Sequence, residues 1–190
     1  AMADAKKSGS YLDMDWLSVN RELTSLLNSG EIADDLVEKF VEDLRNQSTR
    51  ETKAQQLFIK GKEECAAGRF HDALATLATV PANSVFSEAA VVQIEAAKDA
   101  RYAREKEALA VLFKGGRWSE AQAKAKELAA VRPGDAEVAK IRDESAVLMA
   151  QQDMLAEARR LAADNDVASR RQALVVLRKI PQGCPFAQEA

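Results

Sequence analysis

Histidine occurs once in the 190 residues, cysteine twice, proline four times and glycine eight times, and aromatic residues make up only 5%. General acid–base and metal catalysis draw on His, Cys and convergent carboxylates, so one histidine argues against an enzyme or a resident metal or cofactor. Cys65 and Cys184 form neither a CxxC pair nor a dense framework, which suits a reducing compartment. No run approaches the roughly 18 apolar residues of a membrane span, and Ala1 to Ser10 lacks an apolar signal core, so a cytoplasmic protein with no membrane partner is expected. Ala1-Met2 reads as a tag remnant, and residues 1–12 as a disordered or tag-derived tail, leaving open a native segment upstream. Basic excess is missing too: the net charge is -3, with no general attraction to phosphate backbones.

What is present is alanine, 36 residues of it, within 47% hydrophobic and 30% charged composition. That mixture buries a core and favours helix at nearly every ambiguous position, so the expected class is all-α. Residues 1–50 carry ten acids against six bases, whereas the remainder is close to neutral.

Residues 13–50 read as an acidic helical hairpin. Asp13 or Asp15 caps a helix striped by Trp16, Val19, Leu23, Leu26 and Leu27, and Ser29-Gly30 stops it. From Glu31 a second stripe runs Ile32, Leu36, Phe40, Leu44, with Val37 and Val41 beside it. The polar stretch Arg45 to Lys53 is either a linker or a solvated bridge within one long helix.

Residues 51–190 repeat themselves. Shifted by 100, Ala73, Leu74, Leu77, Val80, Pro81, Phe86 and Ala90 fall on Ala173, Leu174, Leu177, Ile180, Pro181, Phe186 and Ala190. Shifted by 48, Gly68-Arg69-Phe70 and Ala73 fall on Gly116-Arg117-Trp118 and Ala121, which makes about three copies, the last one cut short. In each unit a glycine closes one helix, an aromatic wedges between helices, a small alanine permits close packing and a proline ends the next helix.

The middle copy, with Gly116, Trp118, Ala121, Ala125, Leu128 and Pro133, resembles the second half of a tetratricopeptide (TPR) repeat. Gly61, Gly68, Phe70, Ala73 and Leu77 match in the first copy, although Pro81 arrives four residues early. The period is near 50 rather than 34 residues. Phe86 to Lys114, without Gly or Pro, is long enough for one helix of about 43 Å, and Asp135 to Asn165 is similar. Whether Lys98 to Glu107 breaks the first of these stays open. The resemblance implies a divergent TPR-like α-solenoid, similar to repeats of bacterial scaffold and secretion-associated proteins.

The chemical candidates have plain structural accounts. His71 beside Asp72 opens a short helix, where capping or solvation suffices. Asp34-Asp35, Glu42-Asp43 and Glu63-Glu64 lack a calcium-loop pattern or an ExxH companion and read as solvated faces. Lys60-Gly61-Lys62 and Lys114-Gly115-Gly116 lack the phosphate-loop pattern. Arg159-Arg160, Arg170-Arg171 and Arg178-Lys179 form a late basic cluster, but no aromatic interleaves with it, which speaks against nucleic acid. Trp118 holds the wedge position, and Trp16 suits hairpin packing or an exposed anchor.

A stack of helical pairs offers an extended surface that binds peptides or helices through many side chains. The expected function is thus a non-catalytic protein–protein interaction module, an adaptor or assembly scaffold in a larger, bacterial-type complex. Trp16, Arg69, Asp72, Arg117, Glu120, Arg170 and Arg171 are its candidate partner-binding residues. The partner is a protein or peptide, with self-association through the hairpin or the C-terminal end a further option. A secretion-type helical-repeat chaperone, and a regulatory or nucleic-acid module using Arg159 to Lys179, are the alternatives.

Overall fold

The computed structural model describes residues 13–30, 32, 34–164, 166–181 and 183–186, and these are all-helical. The tail at 1–12 and the closing residues 187–190 lie outside the described residues. Seven described helices follow one another: α1 (Trp16–Asn28), α2 (Asp35–Ala66), α3 (Phe70–Ala78), α4 (Ser87–Lys114), α5 (Trp118–Val131), α6 (Ala136–Ala163) and α7 (Val167–Leu177). Short and long helices alternate throughout. The chain divides into two compact units, Ala1–Arg101 and Tyr102–Ala190, with the division inside α4.

Aspartates set most of the helix starts. Asp15 accepts the N–H groups of Leu17 and Ser18, both at 3.1 Å, and Asp34 those of Leu36 and Val37. Asp135 caps α6 and Asp166 caps α7 in the same way, each satisfying amides that a first helical turn leaves without partners. Glycines end two of the long helices. Gly68 and Gly116 adopt φ of 72° and 74°, and the following Arg69 and Arg117 amides reach back to Glu64 and Leu112 carbonyls at 2.9 and 3.0 Å. That left-handed exit is nearly free only for glycine, so GR-aromatic marks both junctions.

In the first unit α1 lies antiparallel on α2. Ser48 Oγ donates to the Trp16 carbonyl at 2.9 Å, Asn20 Nδ2 donates to Arg45 O and Thr49 Oγ1, and Gln55 Nε2 donates to Met14 O. The polar stretch Arg45 to Lys53 therefore lies inside one continuous helix, and its Ser48 and Glu51 are buried rather than solvated. Next, α3 packs on the end of α2 at Gly61, where a Cβ would sit 2.5 Å from Leu77 Cγ. Lys98 to Glu107 is likewise continuous helix within α4.

The two units share a plan that the offsets of 48 and 100 show only in part. Trp16 opens α1 and is buried with Ala54 and Phe86, with Phe58 and Val80 against them. Trp118 opens α5 and packs against Leu155, Ile180 and Phe186, meeting the Phe186 ring edge-on at 5.2 Å. Each unit thus holds a short–long–short triplet closed by a turn ending in phenylalanine: α1–α2–α3 to Phe86, and α5–α6–α7 to Phe186. Positions in α2 and α6 correspond at an offset of 100, with Val41 and Ile141 both buried, and positions in α1 and α5 at 102.

Candidate functional site

The residues singled out above fall into three settings. Trp16 is 3% exposed, so its indole belongs to the core of the first unit and offers no surface anchor. Arg69 pairs with Asp72 across one turn, and Arg117 pairs with Glu120 at the matching place one copy on. All four are exposed, and each pair places an acid in the first turn of a short helix, beside the positive end of its dipole. Arg170 and Arg171 are exposed on α7. Each pair is a local helix-start device.

A charged knot within the second unit has no signature in the sequence, because its members are up to 35 residues apart. Lys106 reaches Asp135 at 2.9 Å and Glu137 at 2.7 Å, Tyr102 Oη donates to Asp135 at 3.1 Å, and the Arg132 guanidinium lies 4.2 Å from the Tyr102 ring centre. The Lys106 ammonium and the Val138 amide hold the Asp135 carboxyl down at about 2, from an ordinary 3.8. Burial and the Asp135 hydrogen bond push the Tyr102 phenol up, and Glu137 and Asp135 push Lys106 up. Beneath the knot, Tyr102 and Leu109 of α4 seal a core with Ala121, Ala125, Leu128, Val138 and Ile141. The end of α4 is therefore the cover of the α5–α6 pair.

The α1–α2 pair carries an apolar group that is exposed among the described residues. Leu36 is 79% exposed and Phe40 62%, with Val37 and Leu26 exposed as well. At an offset of 102, Leu26 answers to buried Leu128, and at 100, Val37, Phe40 and Leu44 answer to Glu137, Lys140 and Glu144. The first unit thus carries apolar side chains where the second carries charge. The same stretch of chain holds Asp34, Asp35, Glu38, Glu42 and Asp43, all exposed, with Lys39 exposed among them and Arg45 paired with Glu42 at 3.6 Å. The stripe was legible in the sequence, but its burial was not, because α2 turns Val41, Ser48, Glu51 and Ala54 inward instead.

A second exposed face lies on α7. Val167 is 63% exposed and Leu174 56%, with Val175 beside them. Arg170, Arg171, Arg178 and Lys179 accompany them, and the stretch from Val167 to Lys179 has no acid. The amphipathic pattern is apolar and cationic.

Two smaller features complete the surface. A cleft of about 480 Å³ opens beside Phe113, Leu148, Gln151, Pro181 and Cys184. His71 is exposed, and among the described residues no group of three or more His, Cys, Asp or Glu is placed to hold a metal ion. Among them too, no helix is long and apolar enough to cross a membrane. No protein-family model, curated protein or solved structure matches the chain.

Proposed function

We propose that this chain is a non-catalytic protein–protein interaction module, an adaptor or assembly scaffold built from divergent TPR-like units of an α-solenoid. The observation that carries the reading is the apolar group on α1 and α2, where Leu36, Val37, Phe40 and Leu26 meet solvent. Apolar side chains grouped on one exposed face mark sites where another protein docks. The excess of acids over bases from Asp34 to Arg45 favours a basic amphipathic helix over an acidic one. The repeated glycine exits and the alternation of long and short helices support the TPR-like assignment. A bacterial-type complex in the cytoplasm is the setting this reading assigns.

Affinity capture with mass spectrometry tests it, comparing the intact chain with a Leu36→Glu/Phe40→Glu variant whose helicity is checked by circular dichroism. The expected result is a set of captured proteins that the variant loses. Identical sets for both chains overturn the reading. Removing residues 1–50 is the wrong comparison, because the cut falls inside α2, one residue before buried Glu51.

A further inference from the structure

We infer that the cleft beside Gln151 in the second unit is a binding site for a small neutral ligand, an apolar ring system carrying one N–H or O–H donor.

The first unit shows what closes the matching place. At an offset of 100, Leu148, Gln151, Cys184 and Pro185 answer to Ser48, Glu51, Ser84 and Val85. There Ser48 Oγ donates to the Trp16 carbonyl at 2.9 Å, and the Val85 amide donates to the Glu51 carboxylate at 3.0 Å. Both bonds are lost in the second unit. Leu148 has no hydroxyl, Pro185 has no N–H, and Gln151 Oε1 is left without a partner although the residue is only 7% exposed. A buried acceptor left unmet costs free energy, and a ligand that supplies a donor recovers it. The Oε1 atom is shut from solvent, but a turn about the last, broadly populated torsion of glutamine brings it to the cleft wall.

The surroundings set the rest of the ligand's chemistry. A volume of about 480 Å³ lies within the range of small-molecule sites, and Phe113, Val147, Leu148, Pro181, Cys184 and Pro185 line it with apolar surface. Asp143 and Glu144 line it too, but each has its own cation. Arg142 Nε lies 2.8 Å from Asp143, and Lys140 Nζ lies 3.8 Å from Glu144. With those charges paired, the cleft favours a neutral molecule over an ion, and its unmet side-chain atom calls for a donor. Every lining residue belongs to the second unit, so the site is complete within it.

The probes are indole, with one ring N–H, and benzofuran, a near-isostere with a ring oxygen in its place. Each is titrated into the full chain while the methyl NMR signals of Val147 and Leu148 are followed. Both probes are expected to move those signals. Gln151→Met is expected to reduce the preference for indole over benzofuran by about three- to tenfold, the share of one hydrogen bond. Because the preference is a ratio within each chain, the packing contribution of the methionine cancels. Val147→Trp, at a position 56% exposed, plugs the cleft and should abolish the shift of Leu148 by either probe. Circular dichroism checks the fold of both variants. In the wild type, indole should also slow alkylation of Cys184 by iodoacetamide and leave the rate at Cys65, in the first unit, unchanged. Signals that neither probe moves, an indole preference that survives Gln151→Met, binding that survives Val147→Trp, or equal reaction of Cys184 with and without indole overturns the inference.

Discussion

Glu51 and Gln151 occupy the same place in the two units and meet opposite partners. The Glu51 carboxylate accepts the Val85 amide at 3.0 Å, whereas the matching residue beside Gln151 is Pro185, which has no N–H to give. Gln151 Oε1 is buried with no hydrogen-bond partner. Replacing Gln151 by Met should then be neutral or stabilise by about 1 kcal/mol in urea denaturation, since an unmade hydrogen bond leaves with the amide. Glu51→Leu should destabilise by about 1–3 kcal/mol, because the Val85 amide loses its acceptor. Asp135 yields a pH prediction. Its carboxyl titrates at about 2 when folded against an ordinary 3.8, so its contribution is full above pH 3.8 and is lost as pH falls toward 2. Asp135→Asn keeps the helix cap but removes the charge. Thermal melts between pH 5 and 2 should therefore fall less steeply for the variant.

Helix pairs in this chain conserve volume by exchanging large and small residues. Gly61 on α2 admits Leu77 of α3, and at an offset of 48 the order reverses, with Leu109 on α4 and Ala125 on α5 in one buried cluster. A Cβ at Gly61 lands on the Leu77 side chain, so Gly61→Ala should cost about 1–3 kcal/mol despite the better helix propensity of alanine. Combined with Leu77→Ala, the total loss should be smaller than the sum of the two single losses, a coupling that a double-mutant cycle reads directly. Independent losses that simply add would refute the size exchange. The glycine exits belong to the same scale, since Gly116→Ala forces a side chain into φ of 74° without any new contact being the cause.

Each of the two units holds one tryptophan, which makes their stabilities separately readable. Leu109 is fully buried in the second unit, and Leu109→Ala should cost about 2–5 kcal/mol there. With Trp16→Phe and Trp118→Phe as single-tryptophan backgrounds, the transition reported by Trp118 should move to lower denaturant more than that reported by Trp16. Equal shifts would mean that the continuous α4 makes the two units unfold as one.

Helix content, a cap at Asp13 or Asp15, and the paired GR-aromatic exits follow from local chemistry and were legible in the residues themselves, whereas Asp34, read as part of a solvated face, turned out to cap α2. Alanine-rich segments, short polar caps and glycines in left-handed turns act within a turn or two of chain, so their outcome needs no distant partner. Tertiary packing decided what distance decides. It buried Trp16 and Ser48, drew Tyr102 and Lys106 to Asp135, and left Leu36 and Phe40 in solvent although their periodicity marks a packing stripe. A hydrophobic period says that a face exists, and only the neighbouring helix, or its absence among the described residues, determines whether that face is a core or a surface.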